Sequence, residues 1–137
     1  LAAAQFFGEP SINLIPFKGG ARRGALAMRM EDVQIPVPRI EEDITTRELV
    51  LGIRPEHVSF QDSSRLRGKV QWIEYVGGAQ LITIRTQFGT VLARTGTGEK
   101  LNLGQKVGLR FTQGRLSLFD KATGRAILTA WKDKANG

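Results

Sequence analysis

The sequence predicts an all-β protein: an antiparallel barrel or sandwich of about nine short strands. Three observations carry this expectation. Short apolar runs alternate in polarity with a period of two. The 16 glycines fall between those runs rather than in a block, as turns require. No helical pattern extends beyond the first few residues.

In chain order, "LAAAQFFGEP" predicts a short helix remnant, with alanines over Leu1–Phe7, Gly8 as its stop and Pro10 barring continuation. "SINLIPF" reads as a strand and "KGGARRG" as a loop. "ALAMRM" sets Leu26, Met28 and Met30 on one face with Arg29 on the other. Pro36 and Pro38 limit "EDVQIPVPRIEED" to an edge strand or an extended loop. Thr45–Ile53 is the next strand.

"GKVQWIEYV" alternates on both faces and ends at Gly77-Gly78, a tight-hairpin signal. "AQLITIRT" answers it, turns at Gln87-Phe88-Gly89, and is followed by "TVLART". "TGTGEKLNLG" is loop, and "KVGLRF" points Val107, Leu109 and Phe111 inward. "RLSLF" and "RAILTAW" flank the turn "DKATG".

Composition narrows the function. The 137 residues suffice for one domain, or two small lobes sharing a core. With no cysteine, disulfide scaffolds, thiol catalysis and cysteine-ligated zinc are excluded. No segment approaches the roughly 18 consecutive apolar residues of a membrane span. The start at Leu1 rather than Met predicts a piece of a longer polypeptide. The net charge of +7 is uneven: residues 1–60 hold 7 Lys/Arg against 8 Asp/Glu, and residues 61–137 hold 13 against 5. A basic half attracts nucleic acid, phosphate or an anionic surface. The plainer reading is single cations at solvent positions, not interleaved with aromatics.

Catalytic motifs are weak. Gly96, Gly98 and Lys100 in "TGTGEKL" suggest a phosphate loop, but Glu99 breaks the Walker spacing and no helix follows. "GGARRG" fails the same test. His57 is the only histidine, so a hydrolytic zinc site would rest almost wholly on carboxylates. No G-x-S-x-G supplies a serine nucleophile for it. Glu41, Glu42 and Asp43 read as a solvated acidic loop.

The densest chemistry is "LGIRPEHV". Pro55 fixes φ and biases Arg54 to an extended conformation, so the strand must turn there. The Arg54 guanidinium suits a bidentate carboxylate, with Glu56 or Asp120 as candidates. Arg54, Pro55, Glu56 and His57 are assigned to a lobe or subunit corner, with Phe119, Asp120, Thr123 and Gly124 as neighbours. Phe88 and Trp131 are candidate aromatic anchors of a subunit contact, Phe88 being equally readable as an unpartnered hairpin tip.

Four segments in order resemble one family. "LGIRPEHV" is similar to a signature that follows the nucleotide-binding domain in ATPase subunits of maltose-type ABC importers. "FFGEPSINLIP" resembles the junction where that domain ends, F-x-G-x-P-x-x-N. "VQWIEYVGGAQLITIRT" is similar to the family's next hairpin, and "LNLGQKVGLRF" with "LSLFDKATGRAIL" to its closing G-x-x-V-x-L…LFD-x-x-TG. The resemblance runs from about Ala4 to Leu128.

The resemblance implies a C-terminal regulatory domain of OB-like barrels, the transport-associated OB module. Residues 1–9 would end the ATPase junction and 10–137 form the regulatory domain, as one unit or two interleaved lobes. The implied parent hydrolyses ATP to import a sugar, polyol or related solute, peripherally at the cytoplasmic face of the inner membrane of a bacterium. Its regulatory domains pair across a two-fold axis, so the expected partners are a homodimer mate, the upstream ATPase domain and the permease subunits. Walker A, signature and Walker B segments would precede Leu1. The expectation is therefore no catalysis and no cofactor here, with ATP and magnesium held by that upstream domain. Importers of oxyanions carry different modules, and no segment here matches an oxyanion pocket. The rival class is a nucleic-acid-binding OB module, supported by the basic half; no nucleic acid is expected on the first reading. An enzyme using Glu56 and His57 comes third.

Overall fold

The structure is a computed structural model that describes residues 12–130. The helix remnant over Leu1–Phe7, the junction 1–9 and Trp131 lie outside the described residues.

Among the described residues, ten strands form three antiparallel sheets. The first sheet has the order β1-β4-β10, from Asn13–Ala21, Ile44–Ile53 and Ser117–Asp120. The second is the hairpin of β2, Ala27–Met30, and β3, Val33–Pro36. The third has the order β5-β9-β6-β7-β8. Its strands are β5 (Val58–Phe60), β6 (Arg67–Val76), β7 (Ala79–Thr86), β8 (Gly89–Gly96) and β9 (Lys106–Phe111).

Alternation does what the sequence predicts where one face is covered. In β7 the side chains of Gln80, Ile82, Ile84 and Thr86 are buried, and in β9 Val107, Leu109 and Phe111 are buried. Gly77 and Gly78 take φ of 54° and 81°, the double left-handed turn that joins β6 to β7. One core runs through all three sheets, from Ile15 and Phe17 through Met28, Met30, Leu49 and Leu51 to Ile82, Ile84, Leu109, Leu118 and Ile127. Strand β10 follows the third sheet in the chain yet pairs with β4 of the first.

Several local expectations are corrected. "KGGARRG" is not all loop: β1 continues through Lys18–Ala21, with a register irregularity against β4 between Gly19 and Ala21. A Cβ on Gly20 would stand 2.7 Å from the Ile44 carbonyl, so this glycine permits close backbone approach. Leu26 does not share the buried face of Met28 and Met30; it precedes β2 and is 60% exposed. β6 buries only Val70, because an irregularity at Gln71 shifts the register and carries Trp72, Glu74, Tyr75 and Val76 into solvent. The described part of "RAILTAW", residues 125–130, contributes isolated bridges, Phe119 to Ala126 and Ile40 to Thr129, rather than a strand. Val58–Phe60, not foreseen, is a separate strand.

Candidate functional site

Arg54–His57 sit where the chain leaves the first sheet and enters the third. Beyond Ile53 the peptide closes a single 3-10 turn, Pro55–His57, in which the His57 amide donates to the Arg54 carbonyl at 3.0 Å. Arg54 is extended, with φ −75° and ψ 149°, as the residue before proline must be. Pro55 is buried while Arg54 and Glu56 face solvent. The His57 carbonyl accepts from both the amide and the hydroxyl of Thr112, at 3.0 and 3.2 Å. Thus the turn is tied to the residue after β9 through the His57 carbonyl, and His57 lines a cavity of about 110 Å³ with Arg54, Arg115, Ser117, Gly52, Ile53 and Ile12.

The structure does not bring this corner to Asp120, Thr123 and Gly124; of the expected neighbours Phe119 comes nearest, paired with Val50 and with its ring beside Gly52. Asp120 lies opposite Leu49, five residues from Arg54 along β4, or about 16 Å at ~3.3 Å per residue. The two groups occupy opposite ends of the β4–β10 pair, because antiparallel pairing places Ser117, not Asp120, beside Gly52. Asp120 is therefore not the partner of Arg54. Its Oδ2 stands 2.9 Å from Arg47 Nε, and no ion pair joins Arg54 to Glu56 among the described residues. The Arg47 contact is one of charge: its Nε makes no directed hydrogen bond.

The second group builds a turn of its own. Asp120 Oδ1 accepts from the amides of Ala122 (2.9 Å) and Thr123 (3.0 Å), and Gly124, at φ 76°, returns its amide to the Asp120 carbonyl at 2.7 Å. Thr123 Oγ1 takes the Arg125 amide at 3.1 Å. The motif D-x-x-T-G is thus a self-capped turn. Amide donation from Thr123, then from Ala122, together with the Arg47 charge, holds the Asp120 carboxyl below its ordinary value against the opposing effect of burial. Beside it, Leu14, Val50, Phe119, Asp120, Lys121 and Gly124 line a cleft of about 360 Å³.

The acidic triplet is not a solvated loop. Glu41 pairs with Arg39 at 2.9 Å, and Asp43 Oδ1 accepts the Arg23 amide at 2.9 Å. Glu42 receives both arms of Arg125, at 3.0 and 3.1 Å, and the Leu128 amide at 2.8 Å. That bidentate bond, with the Leu128 amide next in weight, holds the Glu42 carboxyl below its ordinary value. Glu42 thus clasps the segment after β10, while Glu41 and Asp43 bond to residues that precede β4.

Sequence reasoning met Asn13 only as the last residue of F-x-G-x-P-x-x-N and gave it no role. Its side chain is buried, and it bonds both backbone groups of Leu92 on β8: Nδ2 donates to the carbonyl at 2.9 Å and Oδ1 accepts from the amide at 2.8 Å. The available signal was an asparagine inside a strand, where it is disfavoured. Phe88 is neither exposed nor an unpartnered tip: it is half-buried against the core. The TGTGEK segment is a turn held by Gln80, whose Nε2 donates to the carbonyls of Gly96 (2.9 Å) and Glu99 (2.7 Å). Neither Gly96 nor Gly98 has positive φ, and the chain continues without a helix, so these residues do not fit a nucleotide phosphate chain. Among the described residues no cluster of three or more His, Asp or Glu could hold a metal. No helix of the described residues is long and apolar enough to cross a membrane.

Comparison with known proteins gives two adjoining matches. The MalK OB fold domain matches residues 8–58 and the TOBE domain residues 51–119, overlapping at the end of β4 and the 3-10 turn. An sn-glycerol-3-phosphate import ATP-binding protein of Agrobacterium fabrum is 28% identical over 127 residues, covering 92% of this chain and 34% of the relative. An ABC transporter ATP-binding protein of Sinorhizobium fredii is 28% identical over 124 residues, covering 90% and 33%. An sn-glycerol-3-phosphate import ATP-binding protein of Escherichia coli is 26% identical over 132 residues, covering 93% and 36%. The chain therefore spans about a third of the length of these curated relatives. A solved structure of the molybdate-binding protein ModG superposes with a TM-score of 0.57 at 15% identity, covering 77% of this chain and 94% of that one, a likeness of fold.

Proposed function

The chain belongs to the TOBE domain family, and from that premise we propose that it is the regulatory and dimerisation domain of an ABC importer's ATP-binding subunit. The imported solute would be a sugar, polyol or related compound. The observation that carries the reading is the tiling of the two family matches over one continuous core, with their overlap on Leu51–Val58. Relatives named as import ATP-binding proteins, matched over nine-tenths of this chain but a third of their own length, support an accessory part of such a subunit.

The mechanism is mechanical. Sheets that share one core resist deformation, because close-packed interiors do not yield gradually. Such a body holds two ATPase domains at a common base while they open and close. Residues 12–130 act as one unit, since β10 is built into the first sheet. ATP and magnesium belong to a preceding ATPase domain, and no step of hydrolysis runs through these residues. The 54–57 corner braces the two sheets. The cleft beside Phe119 is the surface assigned to the two-fold contact, its apolar wall being Leu14, Val50 and Phe119. The assembled subunit would sit with its permease at the cytoplasmic face of the membrane.

Sedimentation of the chain alone tests this. A dimer is expected, dissociated by Phe119→Glu with the strand signal in circular dichroism retained. A monomer that retards single-stranded oligonucleotides, with affinity falling steeply as salt rises, would instead establish the nucleic-acid module.

A further inference from the structure

The register of the third sheet aligns three cations. Lys69 of β6 lies directly opposite Lys106 of β9 on one side and Arg85 of β7 on the other. Directly opposed residues point to the same face of a sheet, about 4.8 Å apart from strand to strand. Arg67, two residues before Lys69, shares that face. All four are exposed. With Gly68, Thr86 and Gln87 they line an open groove of about 350 Å³ that no carboxylate enters.

Like charges placed directly opposite destabilise a sheet. Arg39, Arg47 and Arg125 each face a carboxylate. Lys69, Lys106 and Arg85 are in no ion pair among the described residues, and Arg67 spends one nitrogen on the carbonyls of Asp62 and Ser64. Trp72, 59% exposed, is opposite Thr83 on the same face, one row beyond Lys69 and Arg85. The expectation of single cations apart from aromatics thus fails at this one place, for a reason only the register reveals.

We propose that Lys106, Lys69 and Arg85, with Arg67, form a binding site for a phosphate-type oxyanion. A dianion with several acceptor oxygens meets two or three such donors at once, whereas one carboxylate satisfies only one guanidinium. The ligand is free phosphate or the phosphoryl group of a small molecule such as a nucleotide, whose base would reach Trp72. Exposed cations make the site weak, with dissociation on the order of 1 mM. It is independent of the dimer contact proposed above, which lies on the first sheet.

Thermal unfolding of the full chain is followed in inorganic phosphate, in a nucleoside monophosphate and in sodium chloride at matched ionic strength. Phosphate at about fifty times the dissociation constant raises Tm by at least about 4 °C, and chloride does not. Lys69→Gln/Arg85→Gln loses this protection while starting from a Tm about 1–3 °C higher, because the repulsion is gone. Lys18→Gln, on β1 of the first sheet, keeps it. In a Trp131→Phe background, quenching of Trp72 by the monophosphate assigns the ligand as a nucleotide; protection without quenching assigns a free oxyanion, and either supports the site. Equal protection by chloride, or protection that survives the double substitution, overturns it. So does retardation of single-stranded DNA without any effect of phosphate.

Discussion

The carboxamide of Asn13 stands in for a strand on the edge of β8, giving and accepting one hydrogen bond with the backbone of Leu92 at 2.9 and 2.8 Å. An open sheet edge is a liability, since its unpaired amides recruit other chains. Here the edge is stopped by a side chain projecting from a different sheet, so one residue both ends the third sheet and fastens it to the first.

Asn13→Ala should cost about 1–3 kcal/mol, because it strands a buried amide and carbonyl together. Asn13→Asp should be no better, since it keeps the acceptor, loses the donor and buries a charge. Urea unfolding checks both: the midpoint falls with an unchanged slope. An unaltered midpoint for Asn13→Ala would show the contact to be incidental.

Acid should loosen the clasp around the segment after β10. Glu42 and Asp120 both have carboxyls held below their ordinary values of 4.5 and 3.8. A depressed folded pKa contributes stability that is complete above the unfolded value and lost as pH falls through the folded one. Tm is therefore expected to be level from neutrality to about pH 5 and to fall below that, first from Glu42 and then from Asp120. Glu42→Gln should lower Tm at pH 7 by about 1–3 °C and flatten the upper part of the acid limb. An acid limb identical to that of the unaltered chain would refute the role of Glu42.

Glycines divide into those that permit close approach and those that only turn. A Cβ at Gly108 would collide with the Gln61 carbonyl, whereas one at Gly98 meets nothing. Gly108→Ala should destabilise by about 1–3 kcal/mol. Gly98→Ala should be neutral or stabilise by up to about 1 kcal/mol through the unfolded chain. Paired denaturation curves decide.

Glu31 is the single non-glycine residue with positive φ, 55°, among the described residues, at the β2–β3 turn. Glu31→Gly should raise Tm by about 2–4 °C, and Glu31→Val should lower it, because a branched Cβ is worst in that region.

What was legible in the sequence follows from what is local. The Gly77-Gly78 hairpin, the inward set of β9 and the turn forced by Arg54-Pro55 all depend on neighbours in the chain. Glycines misled at Gly19-Gly20, where the same residue type that makes loops makes room between backbones. Aromatic character misled at Phe88, since whether a hairpin tip folds onto the core depends on what lies beneath it. The Arg54–Asp120 pairing failed for want of register, which sets which end of β10 meets the corner. Register is likewise what lines up Lys106, Lys69 and Arg85, and no reading of single strands could place them together.

The return of β10 to β4 bears on how the molecule is made. Residues 13–53 emerge from the ribosome with two of their three paired strands, and the missing one is some sixty residues behind. Until Asp120 is translated, β4 has one flank bare, so neither half matures alone and the last step closes both at once. Such distant pairing slows folding relative to local pairing. A nascent chain halted before Ser117 should accordingly be protease-sensitive along its whole length, and acquire resistance abruptly once the Asp120 turn has cleared the exit tunnel.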